Sequence, residues 1–183
     1  ENKLSSEYTK LLASAKIPFM GETRNLSGLT PFMQSKDREI RKNASDAKYK
    51  FFKEKENEID RIYDNLVKVR TKIAKKLGFK NFVELGYIRM KRSDYTPEMV
   101  AVFRKQVEKY LVPVASELYK RQLKRLGLDT LAYYDEKFEF TTGNAIPKGS
   151  PEWIVSNASK MYSELSSETG EFFNFMLDRE LLD

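Results

Sequence analysis

Apolar residues recur three and four positions apart over most of the chain, which is the spacing of one face of an α-helix. The longest such run lies between residues 36 and 77, which contain neither Pro nor Gly. A single helix of that length would reach about 60 Å, whereas a compact domain of this size has a radius of gyration of about 16 Å. We therefore expect the helix to bend, to break near residues 52–57, where charged residues interrupt the apolar stripe, or to belong to a larger body.

Start and stop signals mark further helices along the chain. Thr96 is a capping residue directly before Pro97, which suits the first position of a helix. Gly127 follows two basic residues, a combination typical of a helix C-terminus. Pro113 should kink the helix that contains it. The predicted helices cover roughly residues 5–16, 36–77, 81–90, 97–126, 151–165 and 167–180.

The remaining segments predict connections between the helices. Pro18 and Gly21 indicate an extended segment and a turn after the first helix. Residues 128–149 have the composition of a loop. The predicted fold class is therefore all-α, a bundle of long and short helices. We expect residues 1–183 to form a single helical segment of a larger domain, in part because the chain does not begin with Met.

Composition narrows the range of partners. The net charge is +6, but acidic and basic residues alternate along the same helices, as in residues 53–56. Nucleic-acid-binding proteins more often segregate their positive charge, so a solvated helix surface is favoured and no nucleic acid is expected.

The sequence contains no apolar run long enough to span a membrane and no signal-peptide pattern, so no membrane is expected as a partner. The absence of Cys fits a reducing compartment, and we expect a cytoplasmic location.

The sequence contains no His, which is the commonest metal ligand and the commonest general base near neutral pH. It also contains no Cys, which excludes thiolate metal sites and cysteine nucleophiles. Glu54, Glu56 and Glu58 do not form a metal site, because neighbours two apart do not share a helix face. Residues 43–45 match a glycosylation acceptor, but they lie within a predicted helix and lack a secretion signal. We assign no catalytic, cofactor-binding or metal-binding residue to the chain.

Several short segments occur in an order that is typical of a known family. Residues 37–44 are Asp-Arg-Glu-Ile-Arg-Lys-Asn-Ala, and residues 74–79 are Ala-Lys-Lys-Leu-Gly-Phe. Residues 85–95, Leu-Gly-Tyr-Ile-Arg-Met-Lys-Arg-Ser-Asp-Tyr, form the most specific piece. The pattern continues through Tyr134, Asp135, Gly149, Met161, Tyr162, Leu165, Ser166, Phe172, Phe173 and Met176. In order and spacing the chain resembles the middle third of the oligoendopeptidase F and thimet oligopeptidase-like zinc metallopeptidases.

The resemblance implies a fragment of a zinc-dependent oligoendopeptidase that hydrolyses peptide bonds in short peptides. Members of that family hold zinc with His-Glu-x-x-His and a downstream Glu, and this chain lacks that motif. The implied role of the chain is scaffold and substrate-channel wall, and we expect the chain alone to be inactive and to bind no zinc. The implied partners are short peptides and the remainder of the peptidase domain. The isolated chain should expose apolar surface and self-associate.

Two groups of residues are candidates for contact with a substrate. Arg89 and Arg92 lie near Tyr95 and are suited to a substrate carboxylate, although structural ion pairing or the capping of a helix end is favoured. An aromatic group near the C-terminus could line a peptide channel, although core packing is favoured; it comprises Phe172, Phe173, Phe175 and Met176. The alternative function is a non-catalytic helical module for peptide binding or interaction. A basic nucleic-acid-binding protein is the least supported, because the charges are mixed.

Overall fold

A computed structural model describes residues 1–182, and it confirms the all-α prediction. The only strands in this range form one short hairpin, β1 (Ile17–Phe19) and β2 (Glu22–Arg24). Two 3-10 helices, Ser27–Leu29 and Phe32–Gln34, follow the hairpin. The α-helices are α1 (Asn2–Ala13), α2 (Arg38–Glu54), α3 (Glu56–Lys76), α4 (Phe82–Arg89), α5 (Pro97–Gln106), α6 (Val112–Leu126), α7 (Pro151–Leu165) and α8 (Ser167–Asp178).

The first helix lies three residues nearer the N-terminus than the expected range of 5–16. It ends at Ala13 because the chain must then run into β1, which begins at Ile17. The hairpin pairs Phe19 with Glu22 across a two-residue loop. Both loop residues, Met20 and Gly21, have positive φ, at 50° and 80°, as a type I′ turn requires.

The apolar run over residues 36–77 forms two helices rather than one. Helix α2 begins after Asp37, whose carboxylate accepts hydrogen bonds from the backbone N–H groups of Glu39 and Ile40. Helix α2 ends at Glu54, and α3 begins at Glu56 after a break at Lys55. The break falls in the interval 52–57, where charged side chains have no apolar face to pack.

The range predicted as one helix, 97–126, contains a wider turn. Helices α5 and α6 are joined by a π-helical turn over Val107–Leu111. Pro113, near the start of α6, has no N–H to donate to the carbonyl four residues earlier, and its ring would clash there in a regular α-helix. Gly127, with φ of 64°, ends α6 in the left-handed conformation that glycine adopts most easily.

The chain forms two compact units, residues 1–144 and the part from Ala145 onward. The core of the first unit lies where the hairpin and the 3-10 helices meet α2; its buried apolar residues are Ala15, Ile17, Leu29, Met33, Ala44 and Phe51. The second unit is the pair α7 and α8. Its buried Phe173 stacks on Tyr162 with ring centroids 4.7 Å apart. The single-segment organisation of the whole chain stays a prediction.

A buried carboxylate joins α2 to the loop that follows α6. Asp135 is fully buried and accepts a hydrogen bond from Arg38 Nη2 at 2.8 Å and another from Arg41 Nη2 at 2.8 Å. The backbone N–H of Ala132 donates to the same carboxylate at 3.1 Å. Burial alone would raise the pKa of Asp135, but the two guanidinium groups and this N–H hold it below the usual value.

Helix α6 is attached to the same loop through a buried amide. Gln122 Nε2 donates to the backbone carbonyls of Phe138 at 2.8 Å and Glu136 at 3.1 Å. The guanidinium of Arg41 lies 4.1 Å from the centroid of the Phe138 ring. These buried polar groups come from α2, α6 and the loop and have their hydrogen-bond partners on one another. They therefore fix the relative positions of the two helices and the loop.

A second charged cluster joins α1, α3 and α4. The Glu1 carboxylate accepts hydrogen bonds from Arg70 Nε at 2.9 Å and from Arg89 Nη1 at 2.8 Å. Both guanidinium groups also lie within 6 Å of the Phe82 ring centroid, at 5.6 Å and 5.7 Å. The hydrogen bond from Arg89, followed by that from Arg70, outweighs partial burial and lowers the pKa of Glu1.

The Asp135→Asn substitution tests the first cluster. It leaves Arg41, whose side chain is 3% exposed, without a counter-charge. Loss of one partner of a buried ion pair destabilises a fold by about 3–5 kcal/mol. We expect urea unfolding at neutral pH to show a loss of that size, and Asp129→Asn, at an exposed carboxylate, to show almost none. Equal unfolding midpoints for the two variants would contradict a structural role for Asp135.

The Glu1→Gln substitution tests the second cluster through its pH dependence. The arginine side chains are 39% and 46% exposed, so solvent screening limits the expected loss at pH 7 to about 1 kcal/mol. Because folding lowers the pKa of Glu1, its contribution is present above the ordinary value of about 4.3 and is lost as pH falls through the lower folded value. Wild type and variant should therefore converge in strong acid. The control is Glu117→Gln, which removes an exposed pair with Arg121; a loss for Glu1→Gln that persists unchanged in acid would refute the charge-based explanation.

Candidate functional site

A cavity of about 380 Å³ lies beside the start of α5 and the loop before it. The capping hydroxyl of Thr96 accepts a hydrogen bond from the Met99 N–H at 3.3 Å and so fixes the first turn of the helix. The lining side chains are Arg92, Tyr95, Met99, Val100 and Phe103. The wall is therefore mostly apolar with a single guanidinium, which is the usual composition of a small-ligand site.

The end of α4 places Arg92 at this cavity. Lys91 has φ of 55°, a left-handed conformation that costs a residue with a Cβ atom about 1–2 kcal/mol. The N–H of Arg92 donates to the carbonyl of Tyr87 at 2.9 Å, and that of Lys91 to the carbonyl of Ile88 at 2.9 Å. This pair of bonds is a Schellman motif, and it reverses the chain so that Arg92 lies near the side chain of Tyr87.

The guanidinium of Arg92 is held by aromatic rings rather than by a carboxylate. It lies 5.4 Å from the ring centroid of Tyr87 and 5.9 Å from that of Tyr95. No Asp or Glu oxygen in residues 1–182 comes within ion-pair distance of it. The nearby Glu98 has its own partners, since hydrogen bonds from the Thr96 hydroxyl and its own backbone N–H lower its pKa.

The structure separates the two arginines that the sequence presented together. Arg89 is committed to Glu1 at 2.8 Å, so it has the structural ion-pairing role. Arg92, half-buried, borders the cavity with Tyr95. Only Arg92 of the two is therefore in a position to meet a ligand carboxylate.

Two other cavities in the described residues offer no comparable group. The cavity between α6 and the following loop, about 500 Å³, contains Arg125, which pairs with Glu139 at 3.1 Å. A further cavity of about 610 Å³ is a groove along α3 alone, lined by residues from Val67 to Lys76. Neither combines a guanidinium that lacks a carboxylate partner with a mostly apolar wall.

The aromatic group of α8 does not form one continuous lining. Phe173 is buried against Tyr162, as core packing predicts. Phe172 and Phe175 are 62% and 46% exposed, so core packing within this unit does not account for them.

The chain does not supply a donor set for zinc. It contains no His and no Cys, and no three carboxylates within residues 1–182 converge in a way that could hold a metal ion. Structural and catalytic zinc sites use His, Cys and carboxylate ligands in sets of three or four. The described residues therefore do not fit a zinc site.

Comparison with known proteins identifies the family. The family model for peptidase family M3 matches residues 31–144, which include the Asp135 cluster and the cavity beside Arg92. A search of curated proteins gave no significant match.

Solved structures match over the whole chain. A protein described as an oligoendopeptidase F from Bacillus anthracis str. Ames is 67% identical, with a TM-score of 0.92. PZ peptidase A, solved with an inhibitor, is 62% identical, with a TM-score of 0.95, and a further oligoendopeptidase F is 57% identical, also at 0.95. Each match covers 100% of this chain but only 34%, 32% and 32% of the respective solved chains, so this chain spans about a third of their length. The resemblance found in the sequence is thereby confirmed: the chain belongs to peptidase family M3.

Proposed function

We propose that this chain is part of a zinc-dependent oligoendopeptidase that hydrolyses peptide bonds in short peptides. The observation that carries the proposal is the match of the entire chain, in sequence and in fold, to an oligoendopeptidase F and to PZ peptidase A. The chain contributes scaffold and substrate-channel wall. Its own residues do not fit a zinc site, so the metal and the activation of water belong to protein outside residues 1–183.

The scaffold role is supported by the Asp135 cluster. Its carboxylate is fully buried and its lone pairs are taken by Arg38, Arg41 and the Ala132 N–H. A group so enclosed does not reach a substrate, but it holds α2 and the loop after α6 in place. The chain alone is accordingly proposed to be inactive.

A large exposed apolar surface supports packing against the rest of a peptidase domain. We call it the α5–α6 surface; it comprises Val102, Tyr110, Leu111, Val114, Leu118 and Tyr119, each at least 50% exposed. Contiguous surfaces of this kind are uncommon on monomeric proteins and mark interfaces. Because the matched structures are about three times as long as this chain, the remainder of the same polypeptide is the proposed occupant.

The charged surface gives no support to a nucleic-acid partner. Lys50 pairs with Glu54, and Lys68 pairs with Asp64, one helical turn apart. Such pairs spread the positive charge among acidic neighbours.

No helix within residues 1–182 has both the length and the hydropathy of a membrane span. The cytoplasmic location stays a prediction.

A second candidate is a helical module that binds peptides without cleaving them. It is favoured by one observation, the cavity that joins an unpaired guanidinium to an apolar wall. The two candidates differ in whether the peptide is cleaved.

Metal removal tests the proposed activity. We expect the full-length protein to hydrolyse a fluorogenic short peptide, to lose that activity on treatment with a chelator and to regain it when zinc is added back. Residues 1–183 alone should give no hydrolysis with or without zinc. Hydrolysis that survives chelation, or that residues 1–183 perform by themselves, would contradict the proposal.

Replacement of the α5–α6 surface tests the scaffold role. We expect residues 1–183 to bind a hydrophobic dye and to self-associate with rising concentration in sedimentation experiments. The side chains of Leu111 and Leu118 are 58% and 56% exposed. The double variant Leu111→Lys, Leu118→Lys should reduce both dye binding and self-association several-fold. The control is Val67→Lys, at a similarly exposed position on α3. A monodisperse, dye-free monomer would argue against a buried interface at this surface.

A further inference from the structure

We propose that the cavity beside Arg92 binds the C-terminal residue of a peptide. In this assignment the guanidinium of Arg92 holds the terminal carboxylate, and Met99, Val100 and Phe103 contact an apolar terminal side chain. The inference rests on the proposed function, because it takes a short peptide as the ligand.

Arg92 differs from the other arginines in combining partial burial with the absence of a carboxylate partner in the described residues. Among the described residues, most arginines have a carboxylate at ion-pair distance; these are Arg24, Arg38, Arg41, Arg61, Arg70, Arg89, Arg121 and Arg125. Arg104 and Arg179 have none within residues 1–182, but they are exposed and water solvates their charge. Arg92 is half-buried and also lacks a carboxylate there. A partly desolvated cation without a counter-ion binds an anion more strongly than a solvated one.

The aromatic neighbours keep Arg92 ready to bind. The ring centroids of Tyr87 and Tyr95 lie 5.4 Å and 5.9 Å from its guanidinium carbon, and the two rings contact each other edge to face at 6.3 Å. Cation–π contact restrains the guanidinium but satisfies none of its N–H donors. A planar fork of free donors is suited to bidentate contact with a carboxylate.

The wall of the cavity favours a terminal residue over an acidic side chain. Of the lining side chains only Arg92 and Tyr95 carry an N–H or O–H group, which is too few to pair with the backbone of a peptide that runs through. In a C-terminal residue, by contrast, the carboxylate and the side chain are both attached to the Cα atom, and no further peptide backbone follows. The volume of about 380 Å³ is near the lower limit of small-ligand cavities and suits a single residue.

Binding without cleavage tests the inference. The full-length protein is treated with a chelator, and fluorescence anisotropy gives the Kd of a short labelled peptide that ends in Leu. The same peptide is measured with a C-terminal amide, and a third peptide carries an internal Glu and a C-terminal amide. We expect the free acid to bind about tenfold to a hundredfold more tightly than the simple amide. The Glu peptide should bind as weakly as the simple amide.

The variants separate recognition from stability. In Arg92→Gln the free acid should bind only as tightly as the amide, whereas the affinity for the amide should not change. Arg104→Gln, which removes an exposed arginine on α5, should keep the full preference for the free acid. A variant that merely loosens the fold would lower the affinity for both peptides and would leave their ratio unchanged.

Three results would overturn the inference: no preference for the free acid in wild type, a preference that survives in Arg92→Gln, or Glu-peptide binding that equals that of the free acid. Equal affinities in wild type would fit a carboxylate elsewhere in the polypeptide that already occupies Arg92. Hydrolysis is measured separately with metal present. Hydrolysis without a preference for the free acid refutes this inference alone, whereas an Arg92-dependent preference without hydrolysis refutes the proposed peptidase activity alone.

Discussion

The pairing of one buried carboxylate with two arginines is the constraint on which the first compact unit depends. Asp135 has no exposed surface, and a carboxylate in that position is tolerated only when it is paired and hydrogen-bonded. Arg38 and Arg41, one helical turn apart near the start of α2, supply that pairing. Gln122 then attaches α6 to the same loop. The family-like segments at residues 37–44 and 134–135 are thus the two halves of one cluster, which explains why their order along the chain is informative.

Local signals in the sequence predict the helices well because each boundary has a local cause. The side chains of Asn81, Thr96 and Ser166 cap helices as their residue types suggest. The charged turn at residues 53–56 predicts the break between α2 and α3, since nothing apolar there holds the two helices in line. The π-helical turn before Pro113 is harder to predict, because proline indicates a disturbance but not which hydrogen-bond pattern absorbs it.

The long-range clusters have no local signal. Asp135 lies 94 residues from Arg41, and Glu1 lies 88 residues from Arg89. Spacing along a helix cannot reveal such partners, and many exposed carboxylates of the same type occur in the chain. Only the family resemblance marks Asp135 in the sequence, and nothing marks Glu1.

The candidate site also has a feature that the sequence does not predict, and here the residues concerned are close together in the chain. Arg89 and Arg92 are three residues apart, so a regular helix would place them on one face. The left-handed conformation of Lys91 separates them, and a lysine gives no sign that it adopts that conformation. Arg89 is therefore bound in a structural ion pair, while Arg92 borders a cavity with its charge unmatched within the described residues.

The central claim is that this chain works as part of a longer peptidase, and the mass of the native polypeptide tests it most directly. An antibody raised against residues 1–183 would detect the protein in an extract of its source cells. The account predicts a band about three times heavier than the 21.4 kDa of this chain, in keeping with the matched structures, of which the chain covers 32–34%. A native band at 21.4 kDa itself would contradict it.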